Sequence, residues 1–95
     1  MKTKPFDIAE HLETDEDIHG FLEAVLAEGD ASDYLHALNI AARAKGMSEI
    51  ARQAGVSRGS LYKSLSEDGN PRFDTIVKVT NALGCRLAVT TNVAR

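Results

Sequence analysis

Apolar positions along this chain fall into helical rows from about residue 14 to residue 83, then switch to alternation. Thr14 precedes Asp15, Glu16 and Asp17. A hydroxyl cap followed by acids in the first turn is a helix start, because the helix dipole favours negative charge there. Ile18, Phe21, Leu22, Val25 and Leu26 follow at helical spacing and make one face, which Gly29 ends. Asp30 is the expected cap of the next helix, with Asp33 in its first turn. Leu35, Leu38, Ala41 and Ala42 carry its inward face to about Lys45, and Gly46 stops it. Two short helices are predicted over about 48–54 and 57–65, with Met47 packing ahead of a Ser48 cap. Ser66 to Pro71 reads as a loop. Phe73, Ile76, Val77, Thr80 and Leu83 form a last helical face, closed by Gly84.

Residues 85–91 alternate, with Cys85, Leu87 and Val89 on one side and Arg86, Ala88 and Thr90 on the other. That pattern predicts one C-terminal β-strand. A lone strand needs partners for its backbone groups. The candidates are the stretch near Phe6, Asp7 and Ile8, or the same strand of a second copy. Residues 1–13 are expected to be irregular or briefly extended, with Phe6, Ile8 and Leu12 as anchors. The expected organisation is an N-terminal extended segment over 1–13 and a single helix-turn-helix domain over 14–95.

The stretch Met47 to Leu65, MSEIARQAGVSRGSLYKSL, has the layout of a DNA-binding helix-turn-helix. In that motif the second helix lies in the major groove. Ala51 is small where the helices pass closely, Gly55 suits a sharp exit at positive φ, Val56 plugs the turn, and Ser57 caps the second helix. Leu61 and Leu65 face inward, which leaves Arg58, Gly59, Ser60, Tyr62 and Lys63 outside.

Ninety-five residues make one small domain with one small core. No apolar run approaches a membrane span, and MKTKPFDIAEHL lacks the pattern of a secretion signal. The single cysteine, Cys85, can form no internal disulfide and suits a reducing cytoplasm as a small buried hydrophobe. The net charge of −3 looks wrong for a DNA binder, but it is unevenly spread. Residues 1–42 carry Lys2 and Lys4 against ten acids, a net of −8. Residues 43–95 carry nine Lys and Arg against four acids, a net of +5. The helix-turn-helix lies in the basic half, and such asymmetry points to two different partners.

Enzyme chemistry finds little support. His19 and Glu23 are four apart on one helix, but no second pair completes a metal site. There is no glycine-rich phosphate loop, and Ser57, Ser60, Ser64 and Ser66 have no neighbouring histidine to act as base. No cofactor is expected. DNA contact uses what is present. Arg58 offers a fork for guanine or phosphate, and Ser57 and Ser60 offer short donors and acceptors. Gly59 permits close approach, and Tyr62 can meet a base methyl or a phosphate. Arg52 and Lys63 are expected phosphate partners, and Arg72 a backbone clamp beside the loop.

These residues resemble the λ-repressor-like helix-turn-helix class of Xre/Cro type, and within it the addiction-module antidote proteins, antitoxins of the HigA type. FDIAEHL is similar to that family's opening segment, and FLEAVLAEGD to its first helix and turn. ARAKGMSEIARQAGVSRGSLYKSLSEDGNPRFDTIVKVTNALG resembles its DNA-binding core, most specifically in GVSRGSLYKSLSEDGNP. The resemblance implies a mainly α, five-helix domain that forms a homodimer on double-stranded operator DNA. It also implies repression of the protein's own toxin–antitoxin operon and neutralisation of a small basic RelE/HigB-like toxin. The acidic N-terminal half would suit such a toxin. The alternatives are a stand-alone phage-type repressor without a toxin, and a protein-interaction module whose helix-turn-helix is only scaffold.

Overall fold

A computed structural model describes residues 7–91 of the chain. A short 3-10 turn, Ile8–His11, leads into five α-helices: α1 Asp15–Glu28, α2 Ala31–Lys45, α3 Met47–Ala54, α4 Arg58–Ser64 and α5 Phe73–Ala82. Local chemistry explains most of the boundaries. The Thr14 hydroxyl accepts from the Asp17 N–H at 3.0 Å, while the Asp17 carboxylate accepts from the Thr14 N–H at 3.1 Å, a closed capping box. Those backbone donors, from Glu13 and Thr14, hold the Asp17 carboxyl below its usual pKa. Asp30 and Asp33 repeat the box at the start of α2.

α1 packs along α2, α2 along α3, and α3 against α4 and α5. Ile18, Leu22, Leu38, Ala41, Ile50, Ala51, Leu61, Leu65, Val79 and Leu83 are all buried in one continuous core. The α5 register differs in part from the expected face. Phe73, placed on the inner row by periodicity, is 74% exposed, while Val79 is fully buried. Phe73 is the first residue of α5, beyond the end of the core that the rest of the helix covers.

The expected C-terminal β-strand is not formed. Residues 85–91 belong to no strand, and no ladder is found among the described residues. Cys85 and Leu87 do turn inward against the core, as the alternation implied, but Val89 is completely exposed. The backbone tie recorded for this segment runs from the Cys85 N–H to the Thr80 carbonyl, which only closes the end of α5. Alternation sets which side chains face inward; a strand also needs a neighbour. Of the proposed N-terminal partners, Ile8 enters the 3-10 turn, which Asp7 caps by accepting from the Ala9 N–H, and Phe6 lies outside the described residues. That turn packs on α2 instead.

A buried polar pair joins α2 to α5. The Thr80 hydroxyl donates to the Ile76 carbonyl at 2.8 Å, so its oxygen is left to accept from the Tyr34 hydroxyl at 3.1 Å. Burial pushes the Tyr34 phenol above its ordinary pKa. Tyr34→Phe removes one net hydrogen bond and leaves Thr80 satisfied, so it should cost about 0.5–1.5 kcal/mol in denaturant unfolding at neutral pH. The pH dependence has a definite sign. The unfolded tyrosine ionises near pH 10. Wild-type stability is therefore expected to fall as pH rises above that value, and this part of the fall should vanish in Tyr34→Phe.

Candidate nucleic-acid interface

α3 and α4 are joined by a turn of three residues. Gly55 adopts φ 77°, the left-handed conformation that lets α3 end abruptly. Val56 is half-buried in the turn and packs on the core. Ser57 caps α4 by accepting from the Ser60 N–H at 3.0 Å. The cap uses an acceptor lone pair, so the Ser57 hydroxyl proton remains available to a ligand. On α4 only Leu61 is buried. Leu65 follows it into the core one turn later. Arg58, Gly59, Ser60, Tyr62 and Lys63 are all exposed, with Tyr62 at 59%. Helical spacing puts Gly59, Ser60 and Lys63 on the side away from Leu61 and Leu65 and Tyr62 on the flank, while Arg58, on the Leu61 side by spacing, is exposed because it is the first residue of the helix.

Beyond α4 the chain turns back on itself at Gly69. A Cβ added there would lie 2.1 Å from the Ser64 carbonyl oxygen and 2.7 Å from that of Lys63. No side chain fits, so this glycine lets the loop close against the end of α4. With Ser60, Lys63 and Asn70, the loop lines a shallow hollow on the Lys63 side.

The expected contact residues do not all stand equally free. The Arg58 guanidinium donates from one terminal nitrogen to the Ser48 hydroxyl at 3.3 Å, which engages one prong of its fork while leaving the side chain exposed. Ser48 is therefore not the cap of α3. The cap is Gly46, with no side-chain bond, and the helix begins one residue early with Met47 buried. Arg52 is paired along α3 with Glu49, which also accepts from Gln53. That pairing raises the Arg52 pKa and lowers that of Glu49, and it offsets the charge Arg52 would bring to DNA. Arg72 lies just before α5 and pairs with Asp74 at 3.2 Å. Arg58 and Lys63 carry no ion pair among the described residues.

Sequence reasoning passed over Arg43, in the last turn of α2. It lines a hollow of about 320 Å³ with Met47, Arg58, Gly59 and Tyr62. Only its position three residues before the Gly46 stop hinted that it would sit beside the two short helices. Among the described residues no three His, Cys, Asp or Glu side chains converge as metal ligands would, and no helix is long and apolar enough to cross a membrane.

Gly59 provides a test of whether the outer side of α4 is a contact surface. A Cβ there meets nothing within 4 Å. Gly59→Ala is expected to stabilise the helix by roughly 0.5–1 kcal/mol. If the α4 face lies against DNA, the same substitution should weaken binding. Gain in melting temperature with loss of affinity supports a contact, whereas gain in both would leave Gly59 a mere flaw in the helix.

Fold and site define a small helical protein that presents a turn-mounted helix with a cationic outer side. The chain belongs to the addiction-module antidote family. The family model described as "Probable addiction module antidote protein" matches residues 2–91. A protein of Haemophilus influenzae, described only as uncharacterized, is 49% identical over 86 residues, covering 90% of this chain and 89% of that protein. No solved structure matches.

Proposed function

We propose that this protein is the antitoxin of a toxin–antitoxin pair and the DNA-binding repressor of its own operon. The observation that carries the DNA-binding part is the α3–turn–α4 unit, in which Leu61 and Leu65 anchor a helix whose exposed residues include Arg58 and Lys63, neither in an ion pair among the described residues. In this reading α4 enters the major groove. Arg58 reads a base edge or holds a phosphate, with Ser57, Ser60 and Tyr62 beside it. Lys63 is a phosphate contact, and Arg52 and Arg72 are weaker ones because each already has a carboxylate partner. The protein acts in the cytoplasm as a homodimer on a two-fold operator, with half-sites about one helical turn (~34 Å) apart.

Family membership supports the antidote role, and its partner in this reading is a small basic toxin of the RelE/HigB-like kind. Charge supports the same assignment. α1 carries Asp15, Glu16, Asp17, Glu23 and Glu28 against no Lys or Arg, an acidic surface of the sign a basic protein would seek.

The test is co-expression with the neighbouring reading frame. The expected result is that a small basic protein encoded there arrests growth alone, that this chain restores growth, and that the two elute together. A neighbour without toxicity, or a toxin that neither binds this chain nor is relieved by it, would leave a stand-alone repressor as the better account.

A further inference from the structure

The hollow beside α4 is lined by two arginines, Arg43 from α2 and Arg58 from α4. Its remaining lining is Met47, Gly59 and the exposed Tyr62, with no carboxylate among them. Two arginines with no carboxylate in the same lining make this surface locally positive, the sign an anion such as a phosphate seeks. The carboxylate that reaches Arg43 comes from outside it: Asp7, ahead of the N-terminal 3-10 turn, lies 3.6 Å from the Arg43 guanidinium. Both side chains are about 40% exposed, at 42% and 38%. An ion pair that long and that wet is weak and readily exchanged for another anion.

From this arrangement we infer that Arg43 is a DNA-backbone contact beside α4, and that Asp7 competes with the phosphate for it. The inference rests on the DNA-binding reading above and adds a residue and a control to it. α2 would bring a cation to the duplex next to the reading helix, a contact that positions the protein without carrying sequence information. Asp7 also caps the 3-10 turn that packs on α2. The acidic N-terminal half is thus wired to the DNA face through one charge. Whatever draws Asp7 away frees Arg43 and tightens DNA binding, and whatever holds it in place weakens binding.

Asp7→Asn is the informative variant, because asparagine keeps the cap to the Ala9 N–H and removes only the charge. The probe is the DNA upstream of the protein's own gene, beside a random duplex of equal length, titrated with the full chain at several salt concentrations. Asp7→Asn should bind both duplexes roughly 2–5-fold more tightly, since the pair it breaks is exposed. Arg43→Ala should bind both several-fold more weakly, with a salt slope shallower by about one. In an Arg43→Ala background, Asp7→Asn should have no further effect, as a shared interaction requires. If Asp7→Asn and Arg43→Ala both bind like the wild type while Arg58→Ala is weakened, this inference fails and the DNA-binding reading survives. If the wild-type protein binds neither duplex, both fail.

Discussion

Leu61→Ala is expected to destabilise the protein by about 2–5 kcal/mol, the range for emptying a leucine site in a packed core. Leu61 is fully buried and is the only buried residue within α4. A helix of seven residues has no independent stability, so its order comes from the side chain that fastens it to the core. A chain of 95 residues has a total stability of about 5–14 kcal/mol, so the loss is a large share of the whole. Melting temperature should fall by roughly 10–30 °C. Tyr62→Ala, one residue along and 59% exposed, should stay within about 0.5 kcal/mol of the wild type. The contrast tests the register of α4. Were Tyr62→Ala the damaging change and Leu61→Ala the neutral one, the side assigned to DNA would be the side that packs inward.

Arg58→Ala should carry the largest effect on DNA affinity, about 1–3 kcal/mol if the guanidinium reads guanine. The fold should not suffer, because the side chain is exposed and its one recorded bond is to the Ser48 hydroxyl. The informative readout is the ratio between operator and random DNA. A loss confined to the operator makes Arg58 a base contact, and an equal loss on both makes it a phosphate contact. Unchanged affinity for the operator would remove α4 from the interface altogether.

Features that depend on a few neighbouring residues were legible in the sequence. The caps at Thr14 and Asp30, the stop at Gly29, the left-handed Gly55 and the Ser57 cap all appear as read, because each is a bond or a φ angle within one turn of chain; that Asp17 and Asp33 bond back to close each cap into a box was not read. Features that depend on distant neighbours were not. The alternation over 85–91 correctly turns Cys85 and Leu87 inward, yet no strand forms, since a ladder needs a partner that alternation cannot supply. Periodicity placed Phe73 on the inner row but could not show that the core ends before it. Ser48 looked like a cap because it sits where one would sit. In the fold Met47 is already helical, and the Ser48 hydroxyl is spent on Arg58.

The candidate site divides the same way. That Gly59, Ser60, Tyr62 and Lys63 are exposed while Leu61 is buried follows from spacing, whereas Arg58, three residues before Leu61, is exposed because it opens the helix. Spacing could not say which cations are free. Arg52 and Arg72 take carboxylate partners close by in the chain, whereas Arg43 pairs across the fold with Asp7 and meets α4 only in three dimensions. Lys45 likewise pairs with Asp15 at 2.6 Å, so two cations of the basic half are tied to acids of the acidic half. The two halves read as separate charge territories in sequence are stitched together at the end of α2.

The most direct test of the central claim is equilibrium binding and footprinting of the full chain on the DNA upstream of its own gene, against a shuffled duplex, across a range of salt. The expected result is protection of a two-fold site with half-sites about 34 Å apart, affinity that falls steeply with salt, and a strong preference over the shuffled sequence. Equal, weak affinity for both duplexes at moderate salt, with no protected site, would contradict it.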